Sequence, residues 1–386
     1  MFKLLVIVLI SSVHGVQIPC SNKNAIKEFE EPVYRFSMQL LDRVAQQTHY
    51  HFVFSPISSW LQLVTLAEGT RGRTKNEIVK QTQNNHNPCL KRKFIQVLNG
   101  ETEDIEEVNT MSKRQNVMVF DIFLNVSKSF QNKVKRLNGA KLFKLNFRDS
   151  ESSADVIDDF IIENTDGVVQ NSIQASDFDL RTLLTLEAAY LRIEKPFYSE
   201  ENVEIGRVNM MTQAGNFNMT SLPSLNAKVL ELPLQTDLSM LVLLPDRYQT
   251  VMELYYKLKD IQLKAILNSF DKATPVNVSL PRFNIRTEVE NMPELLYDMG
   301  IKRIFYPDWA DFKEISEYKI YSSMMKQIAN IEVTEKEETA SAVAESLTHA
   351  ADHEEFSADK PFAYLLVDRK INVILFAGIY KDPTIY

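Results

Sequence analysis

The side chains best placed for chemistry sit in one polar tract. His349 and His353 are four apart and flank Asp352, a spacing that would put metal-ligating groups on one helical face. The tract from Glu345 to Asp359 has neither Gly nor Pro and nothing to preorganise those groups, so two solvated histidines are the simpler reading. The remaining histidines are scattered, and the chain has no Gly-x-Ser-x-Gly elbow, His-Glu-x-x-His, Gly-rich phosphate loop or Cys-x-x-Cys. No enzymatic activity, cofactor or metal is expected. What the sequence does offer is covalent modification. Asn125-Val-Ser127, Asn218-Met-Thr220 and Asn277-Val-Ser279 are sequons, with Asn277 the poorest candidate because it lies in an alternating strand pattern. Cys20 and Cys89, the only cysteines, either pair or remain two free thiols.

The elements that carry these residues follow from pattern. Hydrophobic residues make up 45% of the 386 and charged ones 24%, enough apolar material for one large domain or two ordinary ones. Met1 to Gly15 has Lys3, a short apolar run and then small residues, which reads as a secretory signal too short to anchor in a bilayer. The mature protein, residues 16–386, is therefore expected to be secreted, with no membrane span. Losing Lys3 moves the formal charge from −8 to −9, and so acidic a chain has no general reason to bind nucleic acid. Glu30 to Gln46 has amphipathic helical spacing. His51 to Phe54 reads as a short buried strand, and Ser55-Pro56 opens an apolar helix stopped at Gly69. Asn116–Phe120 and Leu142–Phe147 read as strands around a helix, Ser127–Leu137, ended by Asn138-Gly139; Ala154–Asn164 is another helix. Thr182 to Leu191 is a candidate central strand interrupted by Glu187. Ile331 to Thr334 alternates like a strand, Glu335 to Glu338 is acidic, and Thr339-Ala340-Ser341-Ala342-Val343-Ala344 is a small-residue run whose alternate alanines would fit a crowded slot in a sheet. Ala363–Val367 and Val373–Ile379 are strongly apolar strands near the C-terminus.

The order of these pieces, I-E-V, an acidic stretch, small residues, a polar tract, K-P-F and V-I-L-F-A-G, resembles the C-terminal region of serpins. Phe54-Ser55-Pro56-Ile57-Ser58, the Gly69-x-x-Gly72-x-Thr74 turn, Val208-Asn209-Met210-Met211, Leu230-Glu231-Leu232-Pro233, Leu280-Pro281-Arg282-Phe283 and Met299-Gly300-Ile301 extend the likeness from about Phe29 to Pro383. The resemblance implies one α+β domain of the serpin fold, with three β-sheets, eight or nine helices and an exposed reactive-centre loop at about residues 335–359. It also implies a monomer whose partner is a serine protease. In that family the protease cleaves the loop, forms an acyl-enzyme and is distorted as the loop enters the central sheet.

The resemblance also exposes departures. Alignment places Glu337 where inhibitory members carry Gly and Glu338 where they carry Thr, within a hinge of Glu335, Glu337, Glu338 and Thr339 to Ala344. Glu338 shares the alternating face of Ala340, Ala342 and Ala344, and burying an unpaired carboxylate costs several kcal/mol. The family's sheet-opening residues include two serines, here Ser55 and Ser58, an Asn replaced by Glu187 and a His replaced by Gln327; a Gln327–Glu187 hydrogen bond would keep that strand fastened. Pro196-Phe197 comes about two residues early, and the family's Trp before it is missing. These features predict a secreted serpin with weak or absent inhibition, such as those of insect seminal fluid by analogy. A working inhibitor of an elastase-like protease is the alternative, cut at Ala350-Ala351 or Ala351-Asp352, since Glu345 to Asp359 has no Lys or Arg. Lys91-Arg92-Lys93 lies where heparin-binding serpins carry a basic helix, but three adjacent charges on an acidic chain are ordinarily solvated, so a heparin-like polysaccharide partner is not expected.

Overall fold

The computed structural model describes residues 19–84, 87–100, 112–164, 181–188, 191–235, 237–335 and 353–383. Their helices are α1 (Asn22–Gln47), α2 (Pro56–Ala67), α3 (Gly72–Thr82), α4 (Pro88–Leu98), α5 (Lys128–Leu137), α6 (Ser150–Asn164), α7 (Val251–Lys257), α8 (Leu263–Leu267) and α9 (Met292–Asp298). Their strands are β1 (Phe52–Phe54), β2 (Ser112–Gln115), β3 (Val117–Asp121), β4 (Lys141–Leu145), β5 (Arg181–Ala188), β6 (Leu191–Tyr198), β7 (Glu204–Leu222), β8 (Ala227–Gln235), β9 (Leu238–Pro245), β10 (Thr274–Pro281), β11 (Phe283–Val289), β12 (Gln327–Glu335), β13 (Glu354–Ser357), β14 (Phe362–Asp368) and β15 (Val373–Tyr380).

The strands form three sheets. Nine join through the order β1-β15-β14-β9-β8-β7-β10-β13, with β6 also on β7; four run β11-β12-β5-β2; and β3 pairs with β4. The long strand β7 makes the first sheet possible, because its early residues pair with β6 and β10 and its last five with β8. Strands β9, β14 and β15 are buried along almost their whole length, which explains their near-continuous apolar runs. One apolar core joins these strands to α1, α2 and β11–β12.

Several elements differ from their expected bounds for physical reasons. Helix α1 begins at Asn22, eight residues before the amphipathic pattern, because Ser21 caps it by accepting from the Asn24 N–H at 3.3 Å. Helix α2 starts at Pro56 as read, and α5 ends in a left-handed Asn138. Gly139 is needed for space instead: a Cβ there would sit 2.0 Å from Thr65 Oγ1. The expected strand Thr182–Leu191 is β5, Arg181–Ala188, and its last residue, Leu191, already begins β6 in a different sheet. Strands β10 and β11 are separated only by Arg282, whose N–H donates to Asn209 O at 2.8 Å.

Cys20 and Cys89 are joined, with Cα atoms 6.0 Å apart, so the start of α1 is tied to the start of α4 across 69 residues. By chain-entropy reasoning, the double variant Cys20→Ser/Cys89→Ser should lose about 2–4 kcal/mol of stability, read from urea unfolding with and without reductant. In the β14–β15 turn, Asp368 accepts from the N–H groups of Lys370 (2.9 Å) and Ile371 (3.2 Å), yet burial outweighs these donors and pushes its carboxyl from an ordinary 3.8 up to about 6. A folded-state pKa above the unfolded one means that stability is greatest below about pH 4 for this group and declines as pH rises through 6. Asp368→Asn should flatten that part of the stability–pH profile, measured by thermal melting from pH 4 to 7.

Candidate functional site

The site is the junction where β12 leaves the core and leads to residues 336–352. Strand β12 pairs antiparallel with β11 and parallel with β5, the latter through eight residue pairs from Ile328↔Arg181 to Glu335↔Ala188. The four-stranded sheet is therefore closed: nothing lies between β5 and β12. A segment returning after Glu335 into the gap between them would run antiparallel to both, and would first have to break all eight pairings.

At the other end of β12, Gln327 is fully buried and its amide is wholly engaged. Oε1 accepts from Ser55 N at 2.9 Å, and Nε2 donates to Ser55 O at 3.0 Å and Ser59 Oγ at 3.2 Å. The amide thus pairs with the Ser55 backbone as a strand residue would, in the bend where β1 gives way to α2. Ser55 would ordinarily cap α2 with its hydroxyl, but its Oγ donates to Leu375 O of β15 at 2.8 Å and lies 2.9 Å from Ser58 Oγ. Three buried serines and one glutamine therefore bind β12, β15 and the start of α2 into one network.

This differs from the partner suggested by sequence. Glu187 lies opposite Thr334, at the far end of the β5–β12 ladder from Gln327, while the Gln327 amide is spent on Ser55 and Ser59. Ser59 was not singled out in the sequence; three serines at the head of an otherwise apolar helix were its only signal. The inward faces of β11 and β12 are otherwise apolar: Phe283, Ile285, Val289, Ala329, Ile331 and Val333 are all 4% exposed or less. The other polar inward residue, Thr287, accepts from Val53 N at 2.9 Å.

The far flank also departs from expectation. Glu354–Ser357 is a strand, parallel to β10, with Phe356 and Ala358 fully buried. The strand begins at Glu354, short of the Asp359 expected to end the exposed tract, and the alternation Phe356/Ala358 was its signal. His353 Nδ1 lies 3.2 Å from Asn277 Oδ1. His349, Asp352, the hinge residues Glu337 to Ala344, the candidate cleavage positions Ala350 and Ala351, and the leader 1–15 lie outside the described residues. Among those described, no cluster of three His, Cys, Asp or Glu side chains could hold a metal ion. Lys91 is not solvated with its neighbours: it is largely buried and pairs with Glu68 Oε1.

Truncating Gln327 to Ala leaves the Ser55 N–H and the Ser59 hydroxyl buried without their partner and opens a cavity, at an expected cost of about 2–4 kcal/mol in urea unfolding. Gln327→His should behave differently. A buried imidazole has its pKa lowered, so this variant should lose stability as pH falls below about 6.5, a dependence the neutral amide lacks.

Comparison with known proteins agrees with this architecture. The family model "Serpin (serine protease inhibitor)" matches residues 31–383. Serine protease inhibitor 88Ea of Drosophila melanogaster is 26% identical over 388 residues, covering 90% of this chain and 89% of that protein. Serpin B5 of Homo sapiens is 28% identical over 356 residues, covering 86% and 92%. Among solved structures, native protease nexin-1 with heparin superposes with a TM-score of 0.79 at 21% identity, covering 93% of this chain and 100% of that one. Uncleaved ovalbumin gives 0.78 at 22% identity, covering 92% and 100%. With the family model matching residues 31–383 and these structures sharing the fold, the chain belongs to the serpin family.

Proposed function

We propose that this chain is a secreted serpin that releases the protease cutting its loop instead of trapping it. The supporting observation is the apolar inward face of β11 and β12. For inhibition, the cleaved loop must enter beside β12, and the alternate side chains that point inward then meet this face. Glu338 shares the alternating face of Ala340, Ala342 and Ala344, so its carboxylate would be delivered to apolar surroundings. The two polar groups on the inward faces of these strands, Gln327 and Thr287, are already committed to Ser55, Ser59 and Val53.

Magnitudes decide the race between insertion and hydrolysis. If about 3 kcal/mol of the burial cost appears in the insertion barrier, insertion slows roughly a hundredfold, and water reaches the acyl-enzyme first. The fastened Gln327 network acts in the same direction, because it holds β12 to the β1–α2 bend while the sheet would have to part.

The deciding experiment is incubation with elastase-like and trypsin-like serine proteases, followed by denaturing electrophoresis and melting of the nicked protein. The expected result is loop cleavage with no covalent adduct and no rise in Tm. Replacing Glu337 by Gly and Glu338 by Thr together should restore a rise in Tm after cleavage and an adduct detectable on the gel. A stable adduct with the unaltered chain would overturn the proposal and make it a suicide inhibitor of that protease.

A further inference from the structure

The three sequons are not equivalent in the fold, and the difference points to one of them. Asn218 lies in β7, where its Nδ2 donates to Glu231 Oε2 at 2.8 Å; Glu231 is almost fully buried and faces Arg369 at 3.0 Å. Asn277 lies within β10, paired on one side with β7 and on the other with β13, and its Oδ1 faces His353. A sugar on Asn218 Nδ2 would crowd the Glu231 carboxylate beside it, and one on Asn277 would have to leave a strand paired on both sides. Asn125 lies outside any strand, between the β3 turn and helix α5, and is exposed.

The residues around Asn125 are arranged in alternation. Leu124 is half-buried and Val126 is buried, so they anchor the segment inward, whereas Phe123 and Asn125 are exposed. The Phe123 ring is held out by a turn in which Leu124 N donates to Asp121 O at 2.9 Å and Phe123 N to Asp121 Oδ1 at 2.8 Å. Phe123 is 70% exposed, a large apolar surface to leave in water, with the Arg148 guanidinium 5.4 Å from its ring centre. An aromatic face two residues before a modified asparagine suits the apolar C–H face of a pyranose, as it suits other groups carrying partial positive charge. Ser127, the third residue of the sequon, caps α5 by accepting from Phe130 N at 3.2 Å and donates to Glu314 O. That use of the hydroxyl begins only once the chain has folded, so it does not compete with modification of the emerging chain.

We propose that Asn125 is the N-glycosylated residue of this protein and that Phe123 is the platform for its first sugar. In the transfer, Asn125 Nδ2 attacks C1 of a lipid-diphosphate-linked oligosaccharide. The N–C1 bond forms, the C1–O(phosphate) bond breaks, the amide gives up one proton and the lipid diphosphate leaves; no redox partner is involved. The proposal rests on the secretory reading of residues 1–15, since the donor is found in the exporting compartment.

The test is expression of the full chain in a eukaryotic secreting cell, once with its own leader and once with an unrelated one, and as Asn125→Gln, Asn218→Gln and Asn277→Gln. The expected result is export with the native leader and a single mass step on treatment with a peptide-N-glycosidase, lost in Asn125→Gln and kept in the other two. Melting before and after deglycosylation should then show the glycan raising Tm by about 1–2 °C, and less than that in Phe123→Ala. Failure to export with the native leader, while the unrelated leader succeeds, would overturn the secretory reading and the natural modification with it. Export without a step at Asn125, or with the step at Asn218 or Asn277, would overturn the proposal alone. An equal glycan effect in Phe123→Ala would overturn the platform.

Discussion

The pairing of one side-chain amide with one backbone residue, Gln327 with Ser55, sets the constraint from which the rest of this structure follows. Both groups are removed from water, so each polar atom must find a protein partner, and the geometry in which all of them do so is narrow. Gln327 begins β12, and Ser55 follows β1 and leads into α2. Joining them fixes the central sheet against the helix behind it. The Ser55 hydroxyl carries the same constraint on to Leu375 of β15, so the β1–β15 end of the large sheet is held as well.

Close packing enforces what the hydrogen bonds begin. Gly378 in β15 shows how little space is left: a Cβ there would lie 2.1 Å from Phe52 O and 2.2 Å from the Tyr364 hydroxyl. Tyr364 donates that hydroxyl to Phe52 O at 3.0 Å, so β1, β14 and β15 meet at a point where only a residue without a side chain fits. Phe283, Phe362, Tyr364 and Tyr380 stack around the same place, with ring centres about 5–6 Å apart. A sheet fastened and packed in this way is costly to part, because each pairing and buried hydrogen bond that is lost has to be replaced.

On the function proposed above, a loop entering beside β12 would first have to part the eight β5–β12 pairings. The second obstacle would be the chemistry of the incoming face. Nothing in the closed state reveals the second; it becomes visible only when the alternation of Glu338, Ala340, Ala342 and Ala344 is set against the residues that line β11 and β12.

Local chemistry in the sequence determined the elements. Pro56 after Ser55 starts α2, Asn138-Gly139 ends α5, and unbroken apolar runs become the doubly covered strands β9, β14 and β15, because each depends on neighbours a few residues away. The order of short motifs was enough to show the family and hence the fold. Tertiary structure alone decided partners. That Gln327 answers to Ser55 and Ser59 and not to Glu187, that Phe356 belongs to a strand beside β10, that Lys91 is neutralised by Glu68, and that Asn125 is open while Asn218 is engaged by Glu231 all depend on contacts between residues far apart in the chain. Those contacts arise from burial and hydrogen-bond satisfaction across layers; spacing such as the Phe356/Ala358 alternation can mark a buried face but does not name the partner.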